Sequence, residues 1–251
     1  MKIIEFGKQN NDVIMLLHGG GLSWWNYKAE AELLKDKYHV VLPILDGHAG
    51  SDDDFISIEK NASRLISFID KEFGGSILLI GGLSLGAQIL VEMLTQQNTI
   101  CQNAVIESAS IIPSKLTNAL IKPMFSLSYG LVKKKCFAQM QFDYLHICKD
   151  LFEDYYEDTS QISKKNMIAF LEANTSYELK PNFQDNRAKV HIVVGEKEQK
   201  KMICSAEQLH KALPGSILEI KKGLYHGEYS INYPEEYTKE LLDMINAQQC
   251  P

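Results

Sequence analysis

An apolar run, a glycine-rich turn and an amphipathic stretch follow one another between residues 77 and 97 of this 251-residue chain. The run 77–80 indicates a buried strand. After it, apolar residues recur at the helical spacing of about 3.6, at Leu85, Ile89, Leu90, Met93 and Leu94. Ser84 lies between the two elements in a GxSxG pattern, Gly82-Leu83-Ser84-Leu85-Gly86. A serine on such a sharp strand-to-helix turn is exposed at the carboxyl edge of a sheet, so we predict that Ser84 is a nucleophile.

Further short apolar runs recur along the chain, with helical patterns between them. The predicted strands are 13–17, 39–44, 77–80, 104–106, 190–194 and 217–220, and the predicted helices are near 26–37, 58–73, 85–97, 205–213 and 234–247. Most of these strands are apolar throughout rather than alternating, as in parallel sheets covered by helices on both faces. We therefore predict an α/β fold with a mostly parallel, doubly wound sheet, and the length fits a single domain.

The stretch from residue 112 to residue 187 breaks this alternation. It has no convincing strand, it is punctuated by Pro113, Pro123 and Pro181, and it holds 11 of the 23 aromatic residues. We interpret it as a helical cap over a pocket, inserted into a core formed by residues 1–111 and 188–251. Each of these aromatic residues could instead only pack the cap onto the sheet.

The charge and composition exclude several classes of function. Hydrophobic residues make up 45% of the chain, charged residues 23%, and the net charge is −6, so this is an ordinary globular composition without a large phosphate-binding surface. Nucleic acid is not an expected partner. The apolar stretch 77–90 is too short and too broken for a membrane span, and the N-terminus lacks a signal-peptide pattern. We therefore expect a cytoplasmic protein.

The cysteines and the acidic run give no sign of a metal site. The cysteines are five in number and scattered, at Cys101, Cys136, Cys148, Cys204 and Cys250. This spacing fits neither a disulfide framework nor a zinc site, so we expect reduced thiols. The acidic run 52–54 is interpreted as a solvated loop. We expect neither a metal nor a cofactor.

A second glycine-rich turn follows the predicted strand 13–17. It reads His18-Gly19-Gly20-Gly21, and backbone N–H groups at such a turn can point into a cavity. We expect the N–H groups of Gly20 and Leu85 to bind an oxyanion, the latter also at a helix N-terminus. A phosphate-binding loop is the alternative, but no GKS or GKT follows.

A serine hydroxyl needs a general base, and the chain has seven histidines. His226 lies in a loop just after the last predicted strand, 217–220, whose carboxyl end should share an edge with Ser84. His39 and His191 lie at strand starts, and His210 lies on a helix face. We therefore predict that His226 is the base.

The third catalytic residue must be a carboxylate that orients the imidazole and stabilises its protonated form. Glu198 follows the predicted strand 190–194 in a turn that can aim it toward the loop of His226. Glu196 in the same turn and Glu107 at the end of the strand 104–106 remain alternatives. We favour Glu198 because it combines a loop after a strand with a place before His226.

These segments together resemble the α/β-hydrolase fold, in particular the small capped esterases and related serine hydrolases. The resemblance rests on His18-Gly19-Gly20-Gly21, on the segment 46–51, on the GxSxG turn, on Gly195-Glu196-Lys197-Glu198 and on His226-Gly227. It covers nearly the whole chain outside the cap, in the order nucleophile, acid, histidine. It implies a structural role for Asp46 and His48. The chain departs from the family at the acid, which is usually Asp.

The predicted function is that of a serine hydrolase that cleaves a small-molecule acyl compound, a small carboxylic ester above all, through a covalent acyl-enzyme. The same fold and residues are compatible with thioester, peptide or carbon–carbon bond hydrolysis. A protein that only binds a small molecule, with a vestigial triad, is the alternative outside catalysis. The oligomeric state is left open.

Overall fold

A computed structural model describes residues 1–247, and its centre is a seven-stranded β-sheet. Its strands are β1 (Ile3–Phe6), β2 (Val13–Leu17), β3 (His39–Pro43), β4 (Ile77–Leu83), β5 (Cys101–Glu107), β6 (Lys189–Gly195) and β7 (Ile217–Lys221). They form a single sheet in the order β1-β3-β2-β4-β5-β6-β7. All neighbours from β3 to β7 pair in parallel, which confirms the mostly parallel α/β fold.

The first strand, β1, was not among the predicted strands. It pairs antiparallel with β3, with Ile3 opposite Pro43 and Phe6 opposite Val40. Its four residues are all half-buried. An edge strand this short has neither a continuous apolar run nor a clear alternation, so its sequence does not distinguish it from a loop.

Six helices lie outside the stretch between β5 and β6. They are α1 (Lys28–Leu34), α2 (Ile58–Phe73), α3 (Leu85–Gln96), α8 (Lys200–Ala212), α9 (Glu228–Asn232) and α10 (Pro234–Asn246). Alternate residues of the strands contribute to two separate hydrophobic clusters. Met15 and Leu17 of β2 pack with α2, α3 and α8, whereas Ile14 and Leu16 pack with α1 and α10. The sheet is therefore covered by helices on both faces.

Four helices lie between β5 and β6: α4 (Lys115–Val132), α5 (Lys135–Tyr144), α6 (Phe152–Gln161) and α7 (Lys164–Ser176). Among the described residues, no strand interrupts this stretch. Six of its aromatic side chains are buried in the two clusters, namely Phe142, Phe152, Tyr155, Phe170, Tyr177 and Phe183. Most of its aromatic residues thus hold the helices onto the rest of the protein.

The carboxyl ends of β2, β4, β5, β6 and β7 meet at one edge of the sheet because these strands run parallel. The segments that follow them contain, in order, the glycine turn 19–21, Ser84, Ser108, Glu198 and His226. Within residues 1–247, no helix is both long and apolar enough to cross a membrane. Cys101, Cys136, Cys148 and Cys204 form no disulfides, and Cys250 lies outside the described residues.

Candidate active site

Ser84 occupies the turn between β4 and α3 in a backbone conformation that is rare for any residue with a side chain. Its φ is 53° and its ψ is −110°, so the turn stores strain. Glycine is required on both sides of it. A Cβ on Gly82 would lie 2.7 Å from the backbone of Gly86, and a Cβ on Gly86 would lie 2.2 Å from the carbonyl oxygen of Leu17. The GxSxG pattern is therefore a steric requirement of this turn.

His226 lies next to Ser84, with its ring reaching the serine hydroxyl. The Nε2 atom of His226 is 3.0 Å from Oγ of Ser84, and the Nδ1 atom is 2.7 Å from Oε2 of Glu198. In the neutral tautomer that fits both contacts, Nδ1–H donates to the carboxylate and Nε2 accepts from the hydroxyl. The structure thus joins Ser84, His226 and Glu198 in one chain of hydrogen bonds.

Glu198 is held by two further donors on its other oxygen. Its Oε1 atom accepts hydrogen bonds from Oγ of Ser108 at 2.7 Å and from the backbone N–H of Gly195 at 2.8 Å. Its side chain is 1% exposed. Both oxygens are therefore fixed, and the oxygen that faces His226 has little freedom to turn away.

The ionisation of this pair is set by a balance between burial and mutual contact. Burial disfavours the charged form of Glu198, but the hydrogen bond from His226, its charge, and the donors Ser108 and Gly195 outweigh burial and lower the carboxyl pKa. For His226 burial acts to lower the pKa. The hydrogen bond and charge of Glu198, together with the charge of Glu107, outweigh burial and raise the pKa. The arrangement stabilises a protonated imidazole beside an ionised carboxylate.

The two alternative acids lie elsewhere. Glu196 accepts a hydrogen bond from the backbone N–H of Gly223, so it supports the loop that leads to His226. Glu107 is 1% exposed, its carbonyl oxygen accepts from the N–H of Ser84, and its Oε1 accepts from the N–H of Ser230 at 3.3 Å. Burial is the main cause that raises the pKa of Glu107 to about 7. Neither carboxylate is hydrogen-bonded to His226.

The glycine turn after β2 is held by hydrogen bonds on both sides of Gly20. The N–H of Gly19 donates to Oδ1 of Asn26 at 3.2 Å, and the N–H of Gly21 donates to Nε2 of His48 at 3.1 Å. Among the described residues, the N–H of Gly20 has no acceptor, and neither has that of Leu85, the first residue of α3. A Cβ on Gly20 would lie 3.5 Å from the side chain of Leu85, so the two residues are neighbours.

His18 and His48 are structural parts of this turn. Nε2 of His18 accepts from the N–H of Leu45 at 3.1 Å, and Nδ1 of His48 contacts the carbonyl oxygen of Asp46 at 3.1 Å. Burial is the main cause that lowers the pKa of His18 to about 3 and that of His48 to about 4. Both imidazoles are therefore neutral near pH 7 and hold the backbone around Gly20.

Two cavities open beside the Ser84–His226 contact. The smaller, of about 60 Å³, is lined by mostly apolar residues and by backbone: Gly19, Gly20, Leu22, Leu83, Ser84, Leu145, Ile147, His226, Gly227 and Ile231. The larger, of about 350 Å³, lies on the His226 side and is lined by Tyr144, Leu145, His146, Lys197, Glu198, Gln199, Met202, Tyr225 and His226. No aromatic residue of the inserted helices lines the smaller cavity.

The residues after α5 form a strap, residues 145–148, across the site. Leu145 and Ile147 contribute to the wall of the smaller cavity. The side chain of Asn232 clamps the strap, because its Nδ2 donates to the carbonyl oxygen of His146 at 2.8 Å and its Oδ1 accepts from the N–H of Cys148 at 2.7 Å. The ring of His146 also stacks on Tyr225 at a centroid distance of 3.9 Å.

The candidate metal ligands of the acidic run and of one further cluster form ion pairs with cationic side chains of the protein itself. Asp53 forms an ion pair with Arg64, and Asp54 with Lys165, so the acidic run is paired rather than merely solvated. Within residues 1–247, one group of three potential ligands lies together, namely His191, Glu219 and Glu240. Nζ of Lys221 is 2.8 Å from each of its two carboxylates, so an ammonium already pairs with both of them.

Several residues of the site were not predicted from the sequence, chiefly Ser108, Asn26 and Asn232. Ser108 directly follows Glu107 at the carboxyl end of β5, and a polar residue at that edge is the signal that could have indicated it. Asn26 and Asn232 lie in short helical segments whose sequence carries no comparable signal.

The sheet order, the strained serine turn and the helices inserted after β5 together define the α/β-hydrolase fold. The sequence profile of the alpha/beta hydrolase family matches residues 14–237. The chain therefore belongs to the alpha/beta hydrolase family, and this membership supports a hydrolase activity. Among curated proteins, no sequence matches this chain.

Solved structures with the same fold are similar over nearly their whole length. A thermophilic esterase from Thermogutta terrifontis has a TM-score of 0.80 at 15% identity, over 98% of this chain and 93% of the esterase. An enol-lactonase from Burkholderia xenovorans has a TM-score of 0.81 at 14% identity, over 98% and 96%. A bromoperoxidase from Bacillus anthracis has a TM-score of 0.81 at 14% identity, over 97% and 94%. At such identities the likeness concerns the fold alone.

Proposed function

We propose that this protein is a serine hydrolase that cleaves a small carboxylic ester through a Ser84–His226–Glu198 triad. The observation that carries the proposal is the continuous chain of hydrogen bonds from Oγ of Ser84 through both ring nitrogens of His226 to Glu198, at 3.0 and 2.7 Å. The strained turn that exposes Ser84 supports the same role.

In the first half of the reaction, Oγ of Ser84 attacks the acyl carbonyl carbon while Nε2 of His226 accepts the hydroxyl proton. The carbonyl oxygen becomes an oxyanion, to which the N–H groups of Gly20 and Leu85 donate. The start of α3 adds the positive end of the helix dipole. The tetrahedral intermediate then expels the leaving group, which takes the proton from Nε2 and departs as the alcohol.

In the second half, water attacks the acyl group on Ser84, and His226 again accepts and returns a proton. The acid is released and the Ser84 hydroxyl is restored. Glu198 keeps Nδ1–H pointing toward itself and stabilises the imidazolium in both halves. Because Ser108 and Gly195 hold its other oxygen, Glu198 needs no rearrangement during the reaction.

The two cavities suggest how the substrate lies. The leaving group accepts its proton from His226, so it belongs on the side of the cavity of about 350 Å³. The acyl chain then lies in the smaller cavity, of about 60 Å³. This supports a short acyl chain. We also propose that the helices of residues 112–187 act as the cap of this pocket, and a cytoplasmic location remains our expectation.

The test combines active-site labelling with a series of substrates. A fluorophosphonate probe should label wild-type protein at Ser84, and chromogenic esters should be cleaved fastest with acetyl or propionyl groups. A matched thioester series and a peptide amide measure the other acyl reactions. Absence of both labelling and turnover would indicate a protein that only binds its ligand, and faster cleavage of the thioesters would replace the ester in the proposal.

A further inference from the structure

The helix α4 exposes an apolar face that no part of the described chain covers. Five large apolar side chains of this helix are exposed, namely Leu116, Leu120, Met124, Leu127 and Leu131, with Leu116 at 76% and Leu127 at 91%. Only Ile121 and Val132 of the helix are buried. Large apolar residues gathered on one helix face mark an interaction surface, whereas single exposed ones do not.

The spacing of these residues places them on one side of α4. They are four, four, three and four residues apart, so on a helix of 3.6 residues per turn they form a single stripe. The opposite side faces α7, where Nδ2 of Asn118 donates to the carbonyl oxygen of Glu172. The hydroxyl of Tyr129 donates to the carbonyl oxygen of Ile162, which lies just before α7. The helix therefore has one face for the protein and a second, separate apolar face.

The charge around this stripe is opposite in sign to that of the whole protein. Between residues 108 and 142 the sequence has five lysines and no acidic residue, within a chain whose net charge is −6. All five are exposed: Lys115, Lys122, Lys133, Lys134 and Lys135. Lys135 pairs with Glu153. The other four have no acidic partner within residues 1–247, so their charge is available to an anionic partner.

We propose that α4 docks this protein onto an anionic membrane surface, with its apolar stripe among the acyl chains and its lysines at the phosphate groups. Interfacial helices combine these two features, since lysine stems extend along the apolar layer while the ammonium groups reach the headgroups. A second copy of the chain fits less well, because the segment 108–142 has five lysines and no acidic residue, so neither copy would offer carboxylates to the lysines of the other.

The helix α5 supports the same orientation. It directly follows α4 and exposes Met140 and Tyr144, one helical turn apart, at 60% and 78%. Tyr144 also lines the cavity of about 350 Å³ beside His226. The exposed apolar residues of the inserted helices thus extend to the wall of that cavity. Docking itself does not depend on the proposed reaction, and it is measured without substrate.

The experiment is sedimentation of the full-length protein with large vesicles. One set contains equal parts of phosphatidylglycerol and phosphatidylcholine, and the other contains phosphatidylcholine alone. The variants are Leu116→Gln/Leu127→Gln and Lys115→Gln/Lys122→Gln/Lys133→Gln. Matched controls change exposed residues elsewhere, Leu33→Gln/Ile217→Gln and Lys60→Gln/Lys211→Gln/Lys222→Gln. Thermal unfolding and turnover of a soluble ester check that every variant is folded.

We expect wild-type protein and both controls to bind the anionic vesicles and to bind phosphatidylcholine vesicles only weakly. Both α4 variants should bind at least about tenfold more weakly, and raised salt should weaken wild-type binding. Three results would overturn the proposal: no binding to anionic vesicles, equal binding to both vesicle types, or a loss of vesicle binding in the controls as large as that in the α4 variants. A wild-type dimer that Leu116→Gln/Leu127→Gln dissociates, measured by analytical ultracentrifugation, would also overturn it.

Discussion

Ser108 donates a hydrogen bond from Oγ to Oε1 of Glu198 at 2.7 Å, from a backbone with a φ of 56°. This left-handed conformation is uncommon for a residue other than glycine, so the surrounding structure maintains it. The N–H of Ser108 donates to the carbonyl oxygen of Val193 in β6, the strand that leads to Glu198. We therefore expect Ser108 to position Glu198, the acid of the proposed triad.

Ser108→Ala should lower kcat/KM by roughly tenfold to a hundredfold, the usual range for a lost hydrogen bond to a charged group. Without this donor the carboxylate of Glu198 is more basic and holds the imidazolium more strongly. The acid side of the pH profile should therefore move to higher pH. Ser108→Gly relaxes the backbone but also lacks the hydroxyl, so a Gly variant with wild-type kinetics would refute the positioning role.

Ser84→Ala should reduce ester turnover by roughly 10³-fold or more and abolish fluorophosphonate labelling, because no other group replaces the nucleophile. The free energy of unfolding should not fall, because the hydroxyl of Ser84 forms no N-cap hydrogen bond with α3 and alanine is no larger than serine. Ser67→Ala is the matched control, because Ser67 is an exposed helical serine whose hydroxyl donates to the carbonyl oxygen of Ser63. Labelling that persists in Ser84→Ala would show that another residue reacts.

Substitutions of the three carboxylates distinguish their roles. Glu198→Gln should lower kcat by roughly 10²-fold to 10⁴-fold, since the amide neither stabilises the imidazolium nor enforces its tautomer; the equivalent change in a serine protease costs about 10⁴-fold. Glu107→Gln and Glu196→Gln should cost less than about tenfold, because neither carboxylate is hydrogen-bonded to His226. A larger loss in Glu107→Gln than in Glu198→Gln would assign the acid to β5.

The pH profile of kcat/KM reports the ionisation of His226 in the free enzyme. The base must be neutral, and Glu198 raises its pKa above the ordinary value of 6.5. Activity should therefore be low in acid and rise with pH to a midpoint above 6.5. In Glu198→Gln the residual activity should have a lower midpoint, because the two largest causes that raise the pKa of His226 are lost and only the charge of Glu107 still opposes burial. An unchanged midpoint would show that Glu198 does not set the pKa of His226.

Asn232→Ala should loosen the strap, because both hydrogen bonds to it are lost. Two such bonds contribute roughly 1–2 kcal/mol to the free energy of unfolding, which urea denaturation measures. Since Leu145 and Ile147 wall the small cavity, the variant should also cleave longer acyl chains relatively faster than acetyl. Asn232→Asp keeps the acceptor and loses the donor, so an intermediate effect is expected. An unchanged acyl preference would show that the strap does not limit the pocket.

The fold was largely predictable because buried strands and amphipathic helices have distinct periodicities. Six of the strands and the mostly parallel sheet followed from apolar runs such as 13–17 and 190–194. The strand β1 did not, since four half-buried residues at an edge carry no clear pattern. The helix α9, which provides Asn232, is only five residues long and equally lacks a signal.

The sequence by itself placed Ser84 at a strand-to-helix turn, because the glycines of that turn are a local steric requirement, and it restricted the candidates for base and acid to the ends of parallel strands. Only the tertiary structure shows which of the candidate carboxylates is hydrogen-bonded to His226. Glu107, Glu196 and Glu198 all lie at or just after strand ends, and which one contacts His226 depends on loop conformations separated by dozens of residues. Local patterns encode strands, turns and helices, whereas a hydrogen bond between distant loops depends on the packing of the whole domain.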